Sequence, residues 1–293
     1  MGPPPPWIGG EGGRGATAAA FHAGAALAAL HPVAVGRRPG VPLGLLRDRL
    51  ALEAAQATAG LEGRPTTAAA LRDQVHLLRA GERPGPAGAV FELWRTAVTR
   101  RPDAAEQNPL LPPTIGEALA DRSDELRDLP PLSRLAETLA RALDAAPGRD
   151  IAALVAAEAA LAAALGHARP TPVLGTSFRR RDLSLRGAEL EEACALAVAR
   201  GALKAMRLAA DLERRASRLR AIVPRLRGRA APAAVELMLS EDAVAPSIAL
   251  APRVRGRTEK MSDRAARRLC ERLVALGAIR ELTGRNTFRL YGL

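Results

Sequence analysis

Aromatic residues are almost missing from this chain: four Phe, two Trp and one Tyr account for 2% of its 293 residues. Sheet layers draw their cores from aromatic and β-branched side chains, so a β-sandwich or barrel is excluded. The hydrophobic 48%, dominated by Ala and Leu, has to pack between helices instead. Lysine is nearly missing too, standing only at Lys204 and Lys260, and arginine carries the rest of the positive charge. The two cysteines, Cys194 and Cys270, both fall on apolar helix faces, which excludes a disulfide framework and a paired-cysteine zinc site and fits a reducing compartment. The Ala-rich stretch from Ala16 to Gly36 lacks the basic start of a signal peptide and contains His22 and His31. The most apolar run, Ile151 to Leu165, holds Glu158 and is too short to span a bilayer. A soluble, cytoplasmic protein is expected.

Catalytic signatures are also missing. The chain has no GxxxxGK[ST], no GxGxxG after a strand, no HExxH and no GxSxG. Its four histidines, His22, His31, His76 and His167, are scattered and read as packing or surface residues. Asp121, Asp124, Glu125 and Asp128 form one acidic cluster, but Arg122 and Arg127 are interleaved with it, so a solvated helix face fits better than a cation site. The expectation is a protein with no enzymatic activity, no metal and no cofactor.

What is present is an uneven distribution of positive charge. The formal net charge is +12, and residues 1–150 carry 17 Arg against 17 acids while residues 151–293 carry 26 Lys or Arg against 14. A bias in genome composition would act on both halves alike. The asymmetry therefore places the anion-binding surface in the second half.

Periodicity and Pro/Gly breakers divide the chain. Residues 1–15, with Pro3 to Pro6 and a Gly-rich run, read as a disordered tail. Residues 16–166 read as a helical bundle, with helices at 16–30, 43–59, 66–80, 87–100, 114–121, 131–145 and 150–165 and with Trp94 as a core anchor. Residues 167–230 comprise a solvated basic loop with Arg169, Arg179, Arg180, Arg181 and Arg186, then a long helix at 188–223. Leu208, Leu212 and Leu219 line one face of that helix, making it an internal strut or the seam of a homo-oligomer.

The last segment, 231–293, carries the sharpest pattern. A helix is expected from Ala233 to Leu239 and another from Ala243 to Leu250. Ser262 suits an N-cap and Asp263 the first turn of a third helix, whose apolar face holds Ala265, Ala266, Leu269, Cys270, Leu273 and Leu276. Arg264, Arg267, Arg268, Glu271 and Arg272 occupy the opposite face. Beyond Gly277, two β-prone runs at 278–282 and 287–291 flank the turn-prone Thr283 to Asn286. A basic helix followed by a hairpin is the pattern of a winged helix-turn-helix, with the helix in the major groove of double-stranded DNA and the wing on its backbone. The candidate nucleic-acid contacts are Ser262, Arg264, Arg267, Arg268 and Arg272 on the helix and Arg285 and Arg289 on the wing. Arg253, Arg255, Arg257 and Lys260 join them from the basic stretch before the helix, a stretch longer than the three- or four-residue turn usual in this motif. The fold class expected is all-α: a helical bundle followed by a small winged-helix-like unit with one short β-hairpin.

The stretch SDRAARRLCERLVALGAIRELTGRNTFRLYGL resembles the closing segment of the bacterial domain of unknown function 1403 family, found mainly in alphaproteobacteria and often on plasmids. FHAGAALAAL at 21–30, RLALEAA at 49–55, AALRD at 69–73 and PGPAG at 84–88 carry the same resemblance. The tail is also similar to the winged helix-turn-helix that closes many Fic-type proteins, whose HPFxxGNG motif is missing here. The resemblance implies no activity. Three readings follow: a DNA-binding, plasmid-associated regulatory protein, a helical interaction protein whose winged tail docks on protein, and a nucleic-acid enzyme without a familiar motif.

Overall fold

Helices account for nearly all the regular structure of the protein, a computed structural model that describes residues 15–79, 81–102, 110–226, 231–250 and 261–293. In chain order they are α1 (Ala16–Ala34), α2 (Leu43–Ala59), α3 (Ala68–His76), α4 (Pro86–Thr99), α5 (Pro113–Ala120), α6 (Ser123–Asp128), α7 (Pro131–Ala145) and α8 (Asp150–Ala164). The long α9 (Gly187–Ile222), then α10 (Ala231–Met238), α11 (Pro246–Ala249) and α12 (Asp263–Ala275), precede strands β1 (Arg280–Glu281) and β2 (Tyr291–Gly292). The fold is all-α with a C-terminal hairpin. Pro86, Pro113, Pro131 and Pro246 open their helices at the first turn, where a missing N–H is no loss. Pro32 lies in the last turn of α1, so the helix continues to Ala34 rather than ending at Leu30.

The 36 residues of α9 make a spine about 54 Å long at 1.5 Å per residue. It packs along α1 and against α7 and α2, while α7 pairs with α8, α2 with α4 and α3 with α4. Leu212, Ala216 and Leu219 are buried, so the apolar seam is filled from within the chain. By length and composition α1 could cross a membrane, and here it lies against α9. Most buried apolar residues among those described join into one cluster running from Ala19 to Leu293, and a second, small cluster holds Ala243, Ala245 and Leu290.

The connection between α8 and α9 differs from the solvated loop expected. Arg179, Arg180 and Arg181 are exposed, but residues 170–176 are buried. Glu158, buried in an Ala-rich helix that is apolar all round, accepts hydrogen bonds from the backbone N–H groups of Val173, Leu174 and Gly175, the last at 3.0 Å. Gly201 lets the strap cross α9: a Cβ there would lie 1.8 Å from the Val173 carbonyl oxygen. Trp94 closes the other side, donating from Nε1 to Thr58 Oγ1 at 3.0 Å, and is fully buried as expected.

Three details of the C-terminal segment correct the sequence reading. Residues 243–245 are extended instead of helical, because Pro246 disfavours helical backbone at Ala245 and because Val244 exchanges hydrogen bonds with Tyr291, N to O at 2.8 Å and O to N at 3.0 Å. The hairpin strands are shorter than expected, paired antiparallel as Arg280↔Gly292 and Glu281↔Tyr291. Residues 287–289 belong to the loop, not to a strand. Tyr291 thus lies between Val244 and Glu281, making a small three-stranded arrangement.

Candidate nucleic-acid interface

The interface starts at the cap of α12. Ser262 adopts extended backbone and its Oγ accepts from Ala265 N at 3.3 Å, satisfying one of the free N–H groups of the first turn. From that start, 3.6-residue periodicity buries Ala266, Leu269, Cys270 and Leu273 and turns Arg264, Arg267, Arg268 and Arg272 to solvent. Burial pushes the Cys270 thiol up to about 12, so it packs as a small apolar group. Two members of the expected apolar face are not buried: Ala265 is exposed and Leu276, past the last helical turn, is 42% exposed.

Arg264, Arg267 and Arg268 make no ion pair with any described residue and stand at the N-terminal end of the helix. Arg272 reaches back to the Arg225 carbonyl oxygen at 3.4 Å. The wing is built around Glu281, whose Oε1 accepts from Thr283 N at 2.8 Å, from Gly284 N at 2.9 Å and from the Thr283 hydroxyl. Arg289 Nε donates to the Arg285 carbonyl oxygen at 2.9 Å, closing the loop. Arg285, expected to point freely from the turn, is instead paired through Nη2 with Asp73 of α3 at 2.5 Å. Arg253, Arg255, Arg257 and Lys260 lie outside the described residues. The structure therefore gathers Ser262 and four arginines on α12 and places Arg285 and Arg289 beside the bundle.

Sequence reasoning missed how this unit is held. Asp242, fully buried, is clasped by Arg49 of α2 and by Arg72 of α3, with Arg72 Nε at 2.5 Å and Nη2 at 3.1 Å. Its backbone N–H donates to Asp48 Oδ2 at 2.7 Å, and the other oxygen of Asp48 accepts from Arg95 Nε of α4 at 2.6 Å. Arg95 also reaches Glu241 at 3.5 Å, and Arg49 donates to the Leu293 carbonyl oxygen at 3.3 Å. Burial pushes the Asp242 carboxyl up, but Arg49 and Arg72 outweigh that and hold it below the ordinary aspartate value. One signal was available in the sequence: Arg47-Asp48-Arg49 interrupts the Leu-rich pattern of α2, and three consecutive charges in a core helix need partners.

The acidic cluster is solvated and paired, Arg122 with Glu125 at 2.9 Å and Arg127 with Asp124 at 2.8 Å. His31 Nδ1 and His167 Nε2 meet at 3.0 Å although 136 residues apart. No group of three or more potential metal ligands occurs among the described residues.

A family model described as "Protein of unknown function (DUF1403)" matches residues 4–293, nearly the whole chain. No curated protein and no solved structure matches it.

Proposed function

The chain belongs to the family of proteins of unknown function DUF1403, and we propose that it is a non-enzymatic DNA-binding protein whose residues 231–293 act as a winged helix-turn-helix. The observation that carries this is the order of the parts. Helix α10, the extended Val244, helices α11 and α12 and the β1–β2 hairpin follow one another, with Tyr291 between Val244 and Glu281. That order is the one a winged helix needs to present its third helix, and that helix carries the arginine row Arg264, Arg268, Arg272. In this reading Arg264, Arg267 and Arg268 reach base edges in the major groove and Arg272 and Arg289 neutralise phosphates. A plasmid-associated regulatory role in the cytoplasm is part of the same proposal.

Replacing Arg264 and Arg268 together by Ala leaves Leu269 and Leu273 in place, so folding is retained. Loss of a base-reading arginine should cost roughly 1–3 kcal/mol, and each lost phosphate contact should lower the salt slope by about one. Titration of duplex DNA at several salt concentrations, with circular dichroism as a fold control, measures both. Equal affinity and equal slope for parent and variant would remove α12 as the recognition element. The second reading, a tail that docks on protein, draws on Val274 and Leu276, exposed together at the far end of α12. It moves ahead if the double variant binds DNA like the parent.

A further inference from the structure

The tip of the wing carries a side chain that folding alone does not explain. Phe288 is 69% exposed, more than any other large hydrophobic residue among those described. It is also the one described residue other than glycine with a positive φ, at 54°. A bulky side chain in the left-handed region crowds its own backbone, and Gly or Asn would sit there more easily. The chain has four Phe in 293 residues, and another, Phe91, is fully buried. At position 288 an aromatic ring is held in water on strained backbone.

The loop that holds it is braced. Glu281 ties down Thr283 and Gly284, Arg289 ties to the Arg285 carbonyl, and the Arg285–Asp73 pair fixes the wing to α3. Polar Asn286 and Thr287 and basic Arg285 and Arg289 flank the ring; Arg285 is paired with Asp73, and Arg289 donates to the Arg285 carbonyl oxygen and hydrogen-bonds the Tyr291 hydroxyl, which still leaves part of its five-donor guanidinium for an outside anion. An apolar ring with cationic neighbours suits a partner that has an apolar slot between anionic walls. A base step of duplex DNA, with phosphates on both sides of the minor groove, has that chemistry.

We propose that Phe288 is a wedge that inserts at a base step in the DNA minor groove, unstacking and bending the duplex, while Arg289 holds an adjoining phosphate. This rests on the DNA-binding reading above and adds a prediction that reading does not make: bound DNA is bent. The test uses the full chain with end-labelled 30-base-pair A·T-rich duplexes, following energy transfer between the ends and binding as a function of salt. The parent should bring the ends closer. Phe288→Ala should abolish the bend and weaken binding roughly 5- to 100-fold, as loss of an aromatic–base stack does, with the salt slope unchanged because no charge is removed. Phe288→Leu, still an apolar wedge, should keep most of the bend. Phe288→Gly should melt at the same temperature as the parent or higher, since it relieves the strained backbone, and should not bend DNA.

Binding by the parent without bending, or equal bending by Phe288→Ala, overturns the wedge and leaves the DNA-binding reading standing. No duplex binding by the parent at low salt overturns both. Self-association that is lost in Phe288→Ala, with DNA binding unchanged, overturns the wedge and makes the tip a contact between copies of this chain.

Discussion

At the residue scale, Glu158 and His167 make opposite contributions to the pH dependence of stability. Burial pushes the Glu158 carboxyl up to about 8, against an ordinary value of 4.5, although three backbone N–H groups favour its charged form. Burial, with His31 and Arg47 nearby, pushes His167 down to about 4 from 6.5. A raised carboxyl contributes stability that is complete below its unfolded value of 4.5 and is lost as pH rises through about 8. A lowered imidazole contributes stability that is complete above 6.5 and is lost as pH falls through about 4. Between pH 4.5 and 6.5 the two slopes oppose each other, so among these two groups Glu158 acts alone from pH 6.5 upward. Glu158 should contribute a loss of roughly 1–2 kcal/mol between pH 6.5 and 8, and Glu158→Gln, whose amide oxygen still accepts from the strap, should flatten that part of the slope in denaturant titrations. An unaltered slope in the variant would show that another group titrates there. In the sequence Glu158 shows only as an interruption of an apolar run, because its partners at 173–175 belong to a strap whose path no local pattern reveals.

At the element scale, α9 and α12 were the most legible parts. Both have long, strongly periodic patterns, and periodicity is the imprint of a packed face on the sequence. Leu212 and Leu219 are buried as the spacing required, and Leu212→Ala should cost roughly 2–5 kcal/mol on thermal or denaturant unfolding. A melting temperature equal to the parent's would mean the seam collapses without penalty. Leu276 failed the same reasoning: the wheel puts it with Leu269 and Leu273, but the helix ends at Ala275 and the following residue leaves the face. Residues 243–245 failed for another reason. Their helical propensity is ordinary, and the long-range pairing of Val244 with Tyr291, with Pro246 following, decides the backbone.

At the scale of the whole molecule, the arginine helix belongs to a unit joined to the bundle by buried charges and by a shared core. Asp242→Ala leaves Arg49 and Arg72 without their carboxylate and should destabilise the chain by roughly 3–5 kcal/mol, more than any surface arginine replaced on α12. Asp242 is held below its ordinary value of 3.8, so the stability it contributes is present above that pH and is lost as pH falls below it. Truncation after Leu165 removes α9, the packing partner of α1 and α7. That fragment should be insoluble or molten, read out by loss of cooperative unfolding. A folded, monodisperse fragment would show that residues 16–165 make a core of their own.

Composition and periodicity decided the class of this protein. Few aromatics, abundant Ala and Leu and Pro/Gly breakers permit little besides packed helices, and the two faces of α12 follow from its own thirteen residues. Only the tertiary structure decided which charges meet. Arg72 and Asp242 are 170 residues apart, and Asp73 and Arg285 are 212 apart. An ion pair leaves no periodic trace in either strand of sequence that contributes to it, so its partners become visible when the helices carrying them are packed. The same holds for Phe288, whose ring is apolar by sequence and exposed because the hairpin turns it outward.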